Sequence, residues 1–329
     1  MSSPLSLPVS RPSQKSGKAG PNKSRKILIV KTGFSEVLDM GISTTVSLGD
    51  VLACTSLLHL FKDDEVTWVT SWAARQLLLD NPWIAKLLIF GTDALREISG
   101  QSFDILVNLE KDNGLCTFLN HVQAKERFGF YFSDEIHDIV TFKRSTRYLL
   151  VGQENQKGLN KNSYEVLYET VGQQWQGQAA ILPRRMRRPE KFDIGFNHAV
   201  GTKWPTKAWP MERWKQLEKL LKKDFSVSWQ QGFQDLSLYM DWIDSCRLIV
   251  TSDSLGQVVA HAFGKKVITL YGSTNYKRME RVPHIRVIPS GSKCAFMPCY
   301  LPVCKNDKFC MDEISAQRVA DECREFLSP

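Results

Sequence analysis

Lys26-Ile27-Leu28-Ile29-Val30-Lys31 and, after a loop, Ser47-Leu48-Gly49-Asp50 with the apolar run that continues to Phe61 decide how this chain folds. The first stretch is a short apolar run rich in β-branched residues, and it reads as a buried strand over 26–31. Residues 49–62 read as the helix that follows it. The same alternation continues with strands at 65–70 and 103–109, a helix at about 163–174, and a basic, proline-flanked linker from Leu182 to Pro189. It then restarts with strand 193–197, helix 210–223, strand 225–229, helix 235–245, strand 247–251, helix 255–263 and strand 266–271. Strands separated by crossover helices define an α/β protein with parallel sheets. The expected architecture is two Rossmann-like lobes facing each other across a cleft, 25–182 and 190–312. A last amphipathic helix within 313–329 is expected to cross back onto the first lobe.

Composition narrows the class. With 329 residues and 43% hydrophobic content the chain can fill two ordinary cores. No apolar run approaches the roughly 18 to 20 residues that span a bilayer, and no apolar signal opens the chain, which points to the cytoplasm. The formal charge is +8, but Arg11, Lys15, Lys18, Lys23, Arg25 and Lys26 carry six of those charges, leaving a body of only +2. A body so close to neutral offers no broad footprint for a polyphosphate chain, so no nucleic-acid partner is expected. Residues 1–24, rich in Ser, Pro, Gly and Lys, read as a disordered basic tail. Weak contact with anionic lipid head groups at the inner face of the membrane is its alternative role.

Ligands of doubly wound sheets bind beyond the carboxyl ends of the strands, so the Ser47–Asp50 turn faces the cleft. Gly49 removes the side chain that blocks close approach at a helix start, where free backbone N–H groups gather. Asp50 alone could simply be a first-turn acid that complements the helix dipole. The second half repeats the arrangement in Thr251-Ser252-Asp253-Ser254-Leu255-Gly256, which follows a strand and opens a helix. Upstream, Gly201-Thr202-Lys203-Trp204-Pro205-Thr206-Lys207-Ala208-Trp209-Pro210 also lies between a strand and a helix. Lysines, hydroxyls and helix starts at strand ends suit a diphosphate, with Thr206, Thr251 and Ser273 as hydroxyl candidates.

The ordered set KILIVK, SLGDVL, KWPTKAWPMERW, IVTSDSLG and GKKVITLYGSTN, spread over residues 26–275, resembles the ADP-heptose:lipopolysaccharide heptosyltransferases, glycosyltransferase family 9. The resemblance implies a two-lobed GT-B fold and inverting, metal-independent transfer of a sugar, usually heptose from ADP-heptose. It also implies Asp50 as general base, Lys207 as the cation that neutralises the leaving diphosphate, and Asp253 beside the donor's sugar and phosphates. Lys203, Thr206, Ser254, Leu255, Gly256 and Gln230 complete the expected donor site. The implied acceptor is a lipopolysaccharide core, a protein side chain or a small glycoside. Four departures stand out: the inserted Gly33–Ser43; Ser254, Leu255 and Val258 within the usual DTG-x-x-H; Trp229-Gln230-Gln231-Gly232 in the glycine-rich loop; and a C-terminal cysteine cluster.

The chain contains no Asp-x-Asp pair to hold a divalent ion against a diphosphate, so lysines and helix ends must supply the positive charge. Cys294, Cys299, Cys304 and Cys310 are a complete tetrahedral set for a structural Zn²⁺ or iron, within a loop spanning 294–310. Free thiols or an incidental disulfide are the alternative. No cofactor is expected for the chemistry. Two other function classes remain open: a degenerate transferase fold serving as a binding scaffold, and a nucleic-acid-binding protein built on the four cysteines. A nucleotide-binding dehydrogenase is disfavoured because no G-x-G-x-x-G follows the first strand.

Overall fold

A computed structural model describes residues 24–34, 44–142 and 160–328. The basic tail, apart from Ser24, and most of the Gly33–Ser43 insertion lie outside the described residues. Strands β1 (Lys26–Val30), β2 (Glu65–Thr70), β3 (Lys86–Ile89), β4 (Ser102–Asn108), β5 (Gln123–Ser133) and β6 (Asp138–Thr141) form the first sheet in the order 3-2-1-4-5-6. Every pairing is parallel except β5 with β6. The second sheet runs β11-β10-β9-β7-β8, with β7 (Phe192–Asn197), β8 (Val227–Trp229), β9 (Cys246–Ser252), β10 (Lys266–Tyr271) and β11 (Ile285–Pro289) all parallel.

Each sheet is covered on both faces, and β1 shows why the alternation of its side chains matters. Ile27 and Ile29 point into one core with Val51, Leu52 and Leu57, while Leu28 and Val30 point into another with Ile98, Leu115 and Leu119. All four strand residues are fully buried, so no polar residue is tolerated between the lysines. The helices are α1 (Leu48–Cys54), α2 (Arg75–Leu78), α3 (Thr92–Ser99), α4 (Asn113–Asn120) and α5 (Ser163–Thr170), then α6 (Met211–Leu221), α7 (Leu236–Asp244), α8 (Leu255–Ala262) and α9 (Ala316–Leu327).

The expected 49–62 helix divides after Cys54 into a tighter 3-10 segment, Thr55–Leu60. The Thr55 hydroxyl lies 2.6 Å from the Leu52 carbonyl oxygen and accepts from the Ile181 amide at 2.8 Å, so the backbone just before the linker docks where the helix tightens. The linker itself is tied down: Arg185 and Arg188 pair with Asp241, and Arg187 with the fully buried Asp244. Helix α5 begins with a reciprocal capping box between Asn162 and Glu165 and joins both halves. Tyr168 donates to the Ser56 carbonyl at 2.7 Å, and the Tyr164 hydroxyl lies 3.3 Å from His261 Nδ1 on α8.

The last helix corrects one expectation. It does not cross back onto the first lobe but packs on α6 and β10 of the second. Val319, Ala320, Cys323 and Leu327 form one stripe that closes over Trp214, Leu217 and Leu221, a complementary stripe within the same core. Among the described residues no helix is long and apolar enough to cross a membrane.

Burial of His261, aided by the charge of His284, lowers its pKa to about 4 from the ordinary 6.5. The unfolded chain therefore takes up a proton near pH 6.5 that the folded chain refuses until about pH 4, so this contribution to stability is complete above 6.5 and lost as pH falls through that window. Thermal unfolding followed between pH 7 and pH 4 is expected to show this fall, with a shallower dependence in His261→Gln.

Candidate active site

In the first sheet the strand order reverses between β1 and β4, and the residues just beyond those two strands are Lys31 and Glu110. Lys31 is almost wholly buried and pairs with Asp50 of α1, its Nζ 2.6 Å from Oδ2. It also lies 3.4 Å from Glu110 Oε1 and donates to the Leu109 carbonyl at 3.3 Å. Burial works to lower the Lys31 pKa, but the charges of Asp50 and Glu110 outweigh it and hold the ammonium protonated. Asp50 keeps about a quarter of its side chain exposed, 28%, and is the only one of the three that opens outward to this extent.

The second sheet reverses at β7 and β9, and there the facing groups collect. Lys207, on the 3-10 turn Pro205–Lys207, pairs with Asp253 at 3.0 Å with both side chains mostly buried. Burial pushes the Asp253 carboxyl upward, but Lys207, then Arg278 and a hydrogen bond from Thr274, bring it below its ordinary value. Ser254 caps α8 without a side-chain bond to the helix amides. Its hydroxyl instead accepts from Asn197 Nδ2 at 3.0 Å, and Asn197 also binds Thr251 and the Tyr239 hydroxyl, each at 2.7 Å. The start of α8 is thus pinned from β7 while its first backbone N–H groups stay uncapped by Ser254, the arrangement that accepts an anion.

The two halves meet where α1 crosses α8. A methyl group on Gly49 would stand 3.3 Å from Leu255 Cα, so the helix starts that carry Asp50 and follow Asp253 are in direct backbone contact. This brings Asp50, Ser254, Leu255 and Gly256 into one locality and sets Lys207 and Asp253 beside it. Three other expected donor residues are otherwise engaged. Lys203 reaches into the first lobe, toward the carbonyls of Thr45 at 3.2 Å and Phe34 at 3.4 Å. The Thr206 hydroxyl donates to the Leu301 carbonyl at 2.5 Å and lies near Ser273, joining the lysine-bearing turn to the cysteine loop. Gln230 accepts from the Ala199 amide at 3.1 Å and shapes the loop after β7.

Lys31, Glu110, Arg278, Asn197 and Tyr239 were not singled out from the sequence. Lys31 ends the quoted first strand and Asn197 ends β7, so position relative to strand ends was an available signal for both. Glu110 and Arg278 sit in ordinary-looking charged runs, and only folding reveals their burial or proximity.

Cys294, Cys299, Cys304 and Cys310 line one small cavity of about 20 Å³ with Thr206 and Ser273. Burial, reinforced by the other three cysteines, pushes the Cys310 thiol up to about 11. The donor types suit Zn²⁺ or iron, yet among the described residues no three His, Cys, Asp or Glu side chains form a group able to hold an ion. The loop therefore gathers the cysteines without forming a coordination shell.

The fold matches a family 9 glycosyltransferase from Veillonella parvula, with TM-score 0.64 and 16% identity over 92% of this chain and 97% of that one. It also matches E. coli heptosyltransferase WaaC with ADP-2-deoxy-2-fluoro heptose, with TM-score 0.57 and 13% identity over 91% and 99%. A third match is TibC, a bacterial iron-containing dodecameric glycosyltransferase from enterotoxigenic E. coli, with TM-score 0.55 and 12% identity over 93% and 77%. No curated protein matches in sequence. The two parallel-dominated sheets have the two-lobed GT-B fold of these glycosyltransferase structures. Residues 232–309 match the model of glycosyltransferase family 9 (heptosyltransferase), the family that the motifs resemble.

A methyl group at Gly256 would meet Asn197 Nδ2 at 2.5 Å and the Tyr239 hydroxyl at 2.6 Å, both already committed to hydrogen bonds. Gly256→Ala is expected to lower stability by about 1–3 kcal/mol through overpacking. The midpoint of urea unfolding measures it.

Proposed function

We propose that the chain transfers heptose from ADP-heptose to an acceptor hydroxyl with inversion at the anomeric carbon, without a metal in the reaction. The observation that supports this reading is the crossing of α1 on α8, which brings the helix start that carries Asp50 against the one that follows Asp253, itself paired with Lys207. Asp50 takes the acceptor proton as that oxygen attacks the anomeric carbon. The bond from that carbon to the β-phosphate oxygen breaks, and ADP leaves. Lys207, Arg278 and the amides that open α8 neutralise the leaving charge, and Asp253 orients Lys207 and the donor sugar. WaaC, described with an ADP-heptose analogue, supports the donor class.

The acceptor is a hydroxyl of a lipopolysaccharide core, a protein side chain or a small glycoside, handled at the cytoplasmic face of the membrane. The lobes are proposed to divide at the Leu182–Pro189 linker. Incubation with ADP-heptose and an acceptor panel, read by mass spectrometry of the products, is expected to show addition of one heptose. Asp50→Asn should lower turnover about 10²- to 10⁴-fold and Lys207→Ala about 10²- to 10³-fold, with both variants folded. Near-normal turnover in folded Asp50→Asn would falsify the assignment of the base. Tight binding of ADP-heptose without transfer to any acceptor would favour the scaffold reading.

The four cysteines are proposed separately to hold one structural ion once their loop closes around it. Convergence on one cavity supports this, as does the description of TibC as iron-containing. Elemental analysis of the purified chain is expected to find about one zinc or iron per chain, lost in a Cys299→Ser, Cys304→Ser double variant. Metal-free protein of unchanged stability would remove the proposal.

A further inference from the structure

We infer that Glu110, acting through Lys31, is a positioning residue that keeps Asp50 able to take a proton. The inference deepens the proposed reaction and rests on Asp50 as its base. Glu110 is only 1% exposed, and its Oε1 accepts from the amides of Thr32 at 2.8 Å and Gly33 at 2.9 Å while facing Lys31. Its own amide donates to Asn108 Oδ1 at 3.0 Å, and Asn108 is anchored in turn to the Phe130 carbonyl at 2.9 Å. An ammonium has three donors, and Lys31 has three acceptors around it: Asp50, Glu110 and the Leu109 carbonyl.

One lysine and one carboxylate would already make a neutral pair. The second carboxylate leaves one net negative charge in a region where unpaired charge is costly. That excess has a chemical consequence at Asp50, the member of the cluster open to the cleft. When Asp50 accepts the acceptor's proton, Lys31 and Glu110 remain behind as a closed neutral pair. Without Glu110, the same step would strand a buried cation beside a neutral acid, and proton uptake would be opposed. Glu110 thus divides the attention of Lys31, so that the lysine orients Asp50 without clamping its charge.

Among the described residues, other titratable groups around the first turn of α1 include Cys54 on α1 itself, Lys203 from the second lobe beside Ser47, Arg75 of α2, held over the Trp72 ring, and the Lys207–Asp253 ion pair next to the start of α8. The start of α8 presents Ser254 and Leu255, which do not titrate over the working range.

The two members of the pair give opposite signatures. In Glu110→Gln the amide oxygen can still accept from Thr32 and Gly33, but Asp50 then faces an undivided cation. Its protonation is expected to move to lower pH than in the wild type. In Lys31→Met the two carboxylates are left without the cation between them, and the midpoint is expected to move the opposite way, to higher pH. Carbon-13 NMR of the aspartate carboxyls, with the Asp50 signal assigned through Asp50→Asn, reads both shifts without needing an acceptor. With ADP-heptose as the probe and water taking the sugar in place of the acceptor hydroxyl, ADP release by Glu110→Gln should slow about tenfold or more, with little change in KM, and its acid limb should move to lower pH. Glu110→Asp should recover part of the rate.

A purely structural Glu110 would lower the unfolding temperature and leave the midpoint where it is in the wild type. An unmoved midpoint in either variant, in folded protein, overturns the inference. Should Glu110→Gln fail to fold, the rise in Lys31→Met or its absence decides. If Asp50→Asn itself retains turnover, the base is misassigned and the proposed mechanism falls with the inference. If Asp50→Asn is inactive while both neighbours leave the midpoint unchanged, only the inference falls.

Discussion

The backbone contact between Gly49 and Leu255 is the constraint on which the rest of this molecule depends. Two helix starts from different sheets can approach so closely only where one of them lacks a side chain. The contact fixes what each helix start carries. Asp50 projects from one, and the uncapped amides of α8 open the other immediately after Asp253. The apolar core continues through this crossing, joining Val51 and Leu52 to Tyr239, Val258 and Val259 in one cluster. The lobes therefore meet through packed helices as well as through a linker.

Around that contact the charges are arranged by different means on the two sides. The first lobe buries Lys31 between two carboxylates, whereas the second pairs Lys207 with one and adds the charge of Arg278 nearby. The first arrangement holds excess negative charge next to a group suited to accept a proton. The second gathers positive charge beside helix amides that the Ser254 side chain leaves uncapped, an arrangement suited to an anion. The cysteine loop joins the second arrangement through Thr206 and Ser273, so its conformation bears directly on the turn that carries Lys207.

Much of this organisation was legible along the chain because it is encoded locally. The run from Ile27 to Val30 is a strand buried on both faces, and the glycine before Asp50 marks a close approach. Elements with weaker patterns escaped notice. Strand β5 begins with the mostly polar Gln123-Ala124-Lys125-Glu126-Arg127, so no apolar run marks it, and beyond its parallel pairing with β4 it pairs antiparallel with a four-residue partner. Helix α9 showed its amphipathic stripe plainly, but a stripe states only that a partner exists. Its partner proved to be α6 of its own lobe.

The sequence by itself determined the alternation of strands and helices, the resemblance carried by the ordered motifs, and the positions of Asp50, Lys207 and Asp253 in the segments that connect strands to helices. Those features depend on side-chain periodicity and backbone freedom over a few residues. Only the tertiary structure decided that Glu110 shares Lys31 with Asp50, that Lys203 turns toward Thr45, and that the four cysteines surround one cavity. The reason lies in the range of the forces. Whether a charge is buried and what neutralises it depends on which distant strand ends the sheet brings together, and nothing in the neighbouring residues records that.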